Sequence, residues 1–155
     1  MPTQTLRNLC LILSCLLLFY GWAHAQDPLA TPVEKLASAK IEKAAEVLAR
    51  ARQLYSEEGA RAALPEFEKA LALFRRDADR KGEAITIGLI GNCYKRLKDY
   101  PKALDYLQRA LVMKRELGDR LEEGKTLNNI GLFYWETSEY SKAFEPLNGA
   151  LAIAK

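Results

Sequence analysis

Seven uncharged letters of the stretch Gly91–Leu111 return in Gly131–Leu151. Gly91 matches Gly131, Tyr94 matches Tyr134, Tyr100 matches Tyr140 and Ala103 matches Ala143. Leu107, Ala110 and Leu111 match Leu147, Ala150 and Leu151, and every pair is 40 residues apart. Asp79-Arg80 matches Asp119-Arg120 at the same distance, and a fainter copy lies earlier in Ala51, Leu54, Ala63, Phe67, Ala70 and Leu71. A fixed period of this size means stacked supersecondary units, none of which can bury its apolar face alone.

Within a copy the apolar period is helical. Ile87, Ile90, Gly91, Tyr94 and Leu97 share one helix face, and Ala103, Leu107, Ala110 and Leu111 share a second. Between them "KDYP" breaks the pattern: Asp99 or Tyr100 can cap, and Pro101 fits a first turn. Successive copies are separated by "DADR" and "LGDR", where Asp119 with Glu122 makes a capping-box arrangement. Each copy therefore reads as helix A, tight turn, helix B. A glycine inside helix A costs up to about 1 kcal/mol against alanine, so Gly91 and Gly131 predict close passage of another backbone. Ala103, Ala110 and Ala143 serve the same approach from helix B, with Tyr94 and Leu107 filling the space beside it. The expected fold is all-α: a right-handed α-solenoid of about three helix-turn-helix repeats, six helices in all. Its domain spans 37–155, with repeats near 38–77, 78–117 and 118–155.

The spacing G-x2-Y-x5-Y-x2-A-x3-L-x2-A resembles the tetratricopeptide repeat, twice well and once degenerately. The unit is longer than the usual ~34 residues, and the proline that often ends it is missing, with Arg75 and Arg115 near its place. "GDRLEEGKTLNNIGLFY" resembles the long repeats of kinesin light chains, and still more those ahead of bacterial CHAT domains. "ALPEFEKALALFRR" followed by "DRKGEAITIG" resembles the opening unit of such bacterial arrays, where a proline early in helix B, here Pro65 or Pro146, is tolerated. The resemblance implies a scaffold that binds a protein or peptide.

The chain begins with Arg7, an apolar run Leu9–Phe19, and Ala23-His24-Ala25 before Gln26. That is the layout of a secretory signal over 1–25, cleaved between Ala25 and Gln26, and it implies a periplasmic or secreted protein. An uncleaved anchor, or lipidation at Cys15 in Leu13-Ser14-Cys15, are the alternatives. Cleavage leaves no stable membrane span, and it removes Cys10, Cys15 and the sole histidine, His24. Pro28 and Pro32 mark an extended linker, placed over 26–36. A formal net charge of +3, with both signs mixed, argues against a nucleic-acid partner.

Catalytic candidates are scarce. Cys93 would have no histidine to activate it and reads as a packed thiol. No phosphate loop, nucleophile elbow or His/Cys ligand set occurs, so no enzyme activity, cofactor or metal is expected. Glu57-Glu58 and Glu122-Glu123 read as solvated charges near helix ends. What is left is a surface. Off the packing stripe, helix A presents Asn92 and Lys95 in one copy and Lys125, Asn128, Asn129 and Trp135 in the next. Asparagine amides can grip a peptide backbone from both sides, lysines favour acidic groups, and Trp135 offers an aromatic anchor. Equally, the asparagines could bridge neighbouring helices and Trp135 could pack a seam. Asn92 and Asn129 fall where clamp-type tetratricopeptide repeats carry asparagines, although Gly88 stands where the clamp has its lysine.

The first copy, with Arg50 for Ile90 and Ala60 for Tyr100, suits an amino-terminal cap. The last helix has no such cover. Either further chain follows, or the helix frays, or copies associate end to end. Two other functional readings stand beside the scaffold: the sensor arm of a CHAT-type cysteine peptidase whose catalytic residues lie beyond Lys155, and a subunit that assembles envelope complexes.

Overall fold

The computed structural model describes residues 32–155. The expected signal, its cleavage point at Ala25 and Gln26, and residues 26–31 lie outside the described residues. The described residues form six helices and no strand: α1 (Pro32–Glu57), α2 (Ala60–Arg76), α3 (Arg80–Arg96), α4 (Tyr100–Glu116), α5 (Arg120–Glu136) and α6 (Tyr140–Ala154). Ala37–Lys155 make one compact unit, an all-α array of three helix pairs. Helix α1 opens on Pro32, so residues 32–36, expected in the linker, are helical. Proline at a first helical position costs no hydrogen bond, because that N–H has no intrahelical acceptor.

Four of the connections are built alike, with a period of half a repeat. Ala78, Lys98, Gly118 and Ser138 take φ values of 56°, 61°, 66° and 63°. In each case the next residue's N–H closes on a carbonyl five residues back: Asp79 to Phe74 (2.9 Å), Asp99 to Tyr94 (3.0 Å), Asp119 to Lys114 (3.0 Å) and Glu139 to Tyr134 (2.8 Å). This is the Schellman ending, which satisfies carbonyls that a helix terminus leaves free. The same residue then caps the following helix. Asp79 accepts from the Gly82 N–H at 2.9 Å, Asp99 from Lys102 at 3.4 Å and Asp119 from Glu122 at 3.2 Å. Asp99, not Tyr100, is thus the cap at "KDYP". The capping box expected at Asp119 forms only by half: the Asp119 N–H is bonded to the Lys114 carbonyl, and the Glu122 carboxylate turns to Lys114 and Lys125. Glu139 makes no cap bond, its side chain being one methylene longer. Glu139→Asp is expected to stabilise the chain by about 0.5–1 kcal/mol, read as a raised denaturation midpoint. No gain would mean that helix α6 does not limit the unfolding transition.

In the second and third helix pairs the helix A glycine lies against a leucine of helix B. A Cβ on Gly91 would lie 3.0 Å from Leu107 Cγ and 3.2 Å from the Leu107 backbone nitrogen; on Gly131 it would lie 2.5 Å from Leu147 Cγ. Leu107, Ala103 and Ala110 are fully buried, and Ala143 is nearly so. Thr86 and Thr126 are buried too, each hydroxyl donating to the carbonyl four residues back (Gly82 at 2.8 Å, Glu122 at 2.9 Å), so neither is unsatisfied.

Between pairs, the missing proline has a counterpart. Arg75 reaches Glu83 at 2.9 Å, and Arg115 reaches Glu123 at 2.9 Å, the same ion pair one repeat on. Glu123 also accepts from Arg120 and is buried, which corrects the expectation of a solvated charge. Glu122 differs as well: it is part-buried between two lysines. Both acids open α5, and α4 packs over that first turn with cations of its own. Glu57 and Glu58 are exposed as expected.

Candidate functional site

A concavity of about 360 Å³ is lined by residues of α1, α3 and α5, together with Lys114 from α4. Asn92 and Asn129 stand in it on neighbouring A helices, with Lys125 and, from α1, Arg52. Gly88 and Ile85 floor it on the α3 side, and Glu122 and Thr126 on the α5 side. Of the residues expected to form a groove, the fold gathers Asn92, Lys125 and Asn129. Lys95 is turned to an ion pair with Glu136 at 2.9 Å, tying α3 to α5. Asn128 lines a different depression beside Leu121 and Leu151. Trp135 is 60% exposed and meets Tyr140 edge-on, with ring centroids 5.0 Å apart.

Lys114 enters the concavity from helix B. Its side chain is only 5% exposed, and its ammonium donates to Glu122 Oε2 at 3.1 Å and Thr126 Oγ1 at 2.8 Å. A Cβ on Gly88 would lie 3.4 Å from that ammonium. Lys114 of α4 thus stands against Gly88, whose lack of a side chain leaves room for the ammonium. Burial holds the Lys114 ammonium below the usual lysine range, partly opposed by the Glu122 carboxylate. Glu122 itself is held below the usual carboxylate range by Lys125 and Lys114, which outweigh its desolvation. Of the three N–H donors of this ammonium, two meet Glu122 and Thr126. The lining carries Arg52, Lys114 and Lys125 against the single carboxylate of Glu122.

Sequence reading missed Arg52 and Lys114. Arg52 stands 40 residues before Asn92, so extending the register by one repeat finds it. Lys114 carries no such signal, since its register mates are Phe74 and Ala154.

Cys93 is fully buried, and burial pushes its thiol up to about 12, so it is no nucleophile. No group of His, Cys, Asp and Glu among the described residues could hold a metal ion, and no described helix is long and apolar enough to cross a membrane.

Stacked helix pairs with a polar, cation-rich inner face define a helical-repeat interaction scaffold. The tetratricopeptide repeat family model matches residues 43–116 and 89–155, and the chain belongs to that family. Among solved structures it is similar to the crystal structure of BtubC (BKLC) from P. vanneervenii, with a TM-score of 0.58 and 23% identity. The match covers 65% of this chain and 42% of that one, so the likeness speaks for the fold. No curated protein matches the chain.

Proposed function

We propose that this chain is an exported scaffold that holds an extended, acidic segment of another protein in the concavity. The observation that carries this is the imbalance of charge there: Arg52, Lys114 and Lys125 face one internal carboxylate, with Asn92 and Asn129 beside them. The asparagines would bind the segment's backbone and the cations its carboxylates. Export rests on Arg7, the Leu9–Phe19 run and Ala23-His24-Ala25. Self-association is a second part of the same proposal.

The binding test titrates the full chain into a fluorescein-labelled Asp/Glu-rich peptide and into its Asn/Gln counterpart, reading anisotropy. The acidic peptide should bind, and salt should weaken it. Lys125→Ala and Arg52→Ala should each weaken it about tenfold, near 1.4 kcal/mol. Equal binding of the two peptides, or indifference to both substitutions, defeats the groove. For export, amino-terminal sequencing of the mature protein should begin at Gln26; a product that keeps Leu9–Phe19, or starts at Cys15, defeats that part alone.

A further inference from the structure

The two junctions between repeats differ on the side of the B helices. At the first, Tyr106 of α4 packs on Tyr94 of α3, with ring centroids 5.4 Å apart. The Arg109 guanidinium lies 5.3 Å from the centre of the Tyr106 ring and reaches Asp105 at 3.4 Å. Forty residues on, Tyr134 keeps the place of Tyr94 and Glu145 that of Asp105, but Pro146 stands for Tyr106 and Gly149 for Arg109. A ring and the cation resting on it are lost together. Here a groove of about 470 Å³ lies between α4 and α6. Leu111, Leu127, Ile130 and Tyr134 give it an apolar bed, and Glu145, Pro146 and Gly149 form its α6 wall.

Gly149 meets a packing need, since a Cβ there would lie 3.2 Å from Leu127 Cδ1. Pro146 instead loses a helical bond, because it has no N–H for the Lys142 carbonyl. What the two changes share is the space they open beside Tyr134. The groove's other lining residues are Gln108, which is neutral, and two cations already held: Arg115 by Glu123 and Lys142 by Glu139. Glu145 has no ion pair among the described residues, whereas Asp105 has Arg109. This side of a B helix is not where the next repeat rests. Helix α5 packs against α4, yet Asp105 and Arg109 are exposed. The groove is therefore a property of α4, α5 and α6 alone.

We propose that this groove is a second binding site, which takes a helical segment of a partner protein bearing a tyrosine and, three residues on, an arginine. Side chains at that spacing share a helix face, and they are what α4 itself supplies to the first junction through Tyr106 and Arg109. The partner's ring would pack on Tyr134 as Tyr106 packs on Tyr94, and its guanidinium would meet Glu145 as Arg109 meets Asp105. Charge separates this segment from the acidic one proposed for the concavity: with Arg115 and Lys142 paired, the charge left to select a partner is the Glu145 carboxylate. Tyrosine and arginine are also the anchors that carry most binding energy when set in an apolar bed. The proposal does not rest on the reading of the concavity.

The test titrates the full chain into a fluorescein-labelled, alanine-based helical peptide with one tyrosine and an arginine three residues later, reading anisotropy. The peptide should bind, and replacing its tyrosine or its arginine by alanine should each raise the dissociation constant about tenfold. Glu145→Gln should weaken the parent peptide by about the same factor and leave the arginine-free peptide unmoved. Pro146→Tyr, which restores the residue of the first junction, should fill the groove and abolish binding, with helical content checked by circular dichroism. Should that variant fail to fold, Glu145→Gln at an exposed position carries the test. Lys125→Ala, in the concavity, should change nothing, so failure of the concavity reading and failure of this one are seen separately. No binding, or binding indifferent to Glu145→Gln and Pro146→Tyr, would overturn the proposal. Binding lost with Lys125→Ala would move the peptide to the concavity and overturn it as well.

Discussion

Leu107→Ala should lower the stability of the chain by about 2–5 kcal/mol, the cost of lost burial plus an unfilled cavity. Leu107 has no exposed surface, and it sits against Gly91 between the two helices of the middle repeat. Filling the same contact from the other side should also be costly. Gly91→Leu must displace Leu107 and meet its backbone nitrogen, which lies only 3.2 Å from the first added carbon. Overpacking of this kind costs about 1–3 kcal/mol, set against a helix-propensity gain of nearly 1 kcal/mol. Gly131→Leu meets Leu147 still more closely, at 2.5 Å, yet should cost less, because Leu147 is only half-buried and can rotate away. Lys95→Ala is the control: its pair with Glu136 is partly exposed and should be worth about 0–1 kcal/mol. Chemical denaturation of the four variants reads the order. If Lys95→Ala costs as much as Leu107→Ala, the packing stripe is misplaced.

Lys114→Ala is the second large effect, expected at about 3 kcal/mol. It removes a buried cation and leaves Glu122 and Thr126 short of a donor. Breaking a buried ion pair from one side costs about 3–5 kcal/mol; Lys125 still serves Glu122, which places this case at the lower end. Lys114→Met keeps the hydrocarbon stem but removes the same cation, so it should cost about 2–3 kcal/mol, somewhat less than the alanine change. The pH dependence has a definite sign. The folded Lys114 releases its proton at lower pH than the unfolded chain does, because burial opposes its charge. Between its lowered folded value and an unfolded value near 10.4, the unfolded state binds more protons, so stability rises with pH. The stability of the parent chain relative to Lys114→Met should therefore climb as pH rises through that window. A difference that stays flat through the window just below the unfolded value would place the ammonium in water rather than beneath Gly88.

Much of the array was legible because its physics is local and repeated. Gly91 with Gly131, and Leu107 with Leu147, mark a backbone crossing wherever they recur. Asp79, Asp99 and Asp119 mark helix starts, since a short side chain at that place can accept from an N–H three residues on. The left-handed residues were less visible. Glycine signals that conformation at 118, but Ala78, Lys98 and Ser138 adopt it also, held by bonds from residues on either side. The turns consequently have half the period of the sequence repeat.

The sequence alone therefore determined the six helices of the described residues, their pairing and the family, because periodicity and capping depend on residues close in the chain. Which side chains share a surface was decided by packing between repeats. Phe74 lies over Gly82 at the first junction, where an added Cβ would sit 2.3 Å from its ring. One repeat later those two places hold Lys114 and Glu122, and an ion pair fills the same space. Neither exchange has meaning alone, and neither follows a helical or turn pattern; each fits only because a helix of one repeat rests on the next. The same packing brought Arg52, Asn92 and Asn129 onto one concavity and turned Lys95 and Trp135 away from it. A register places residues along a helix, whereas a binding surface is set by distances between helices, and those exist only in the folded array.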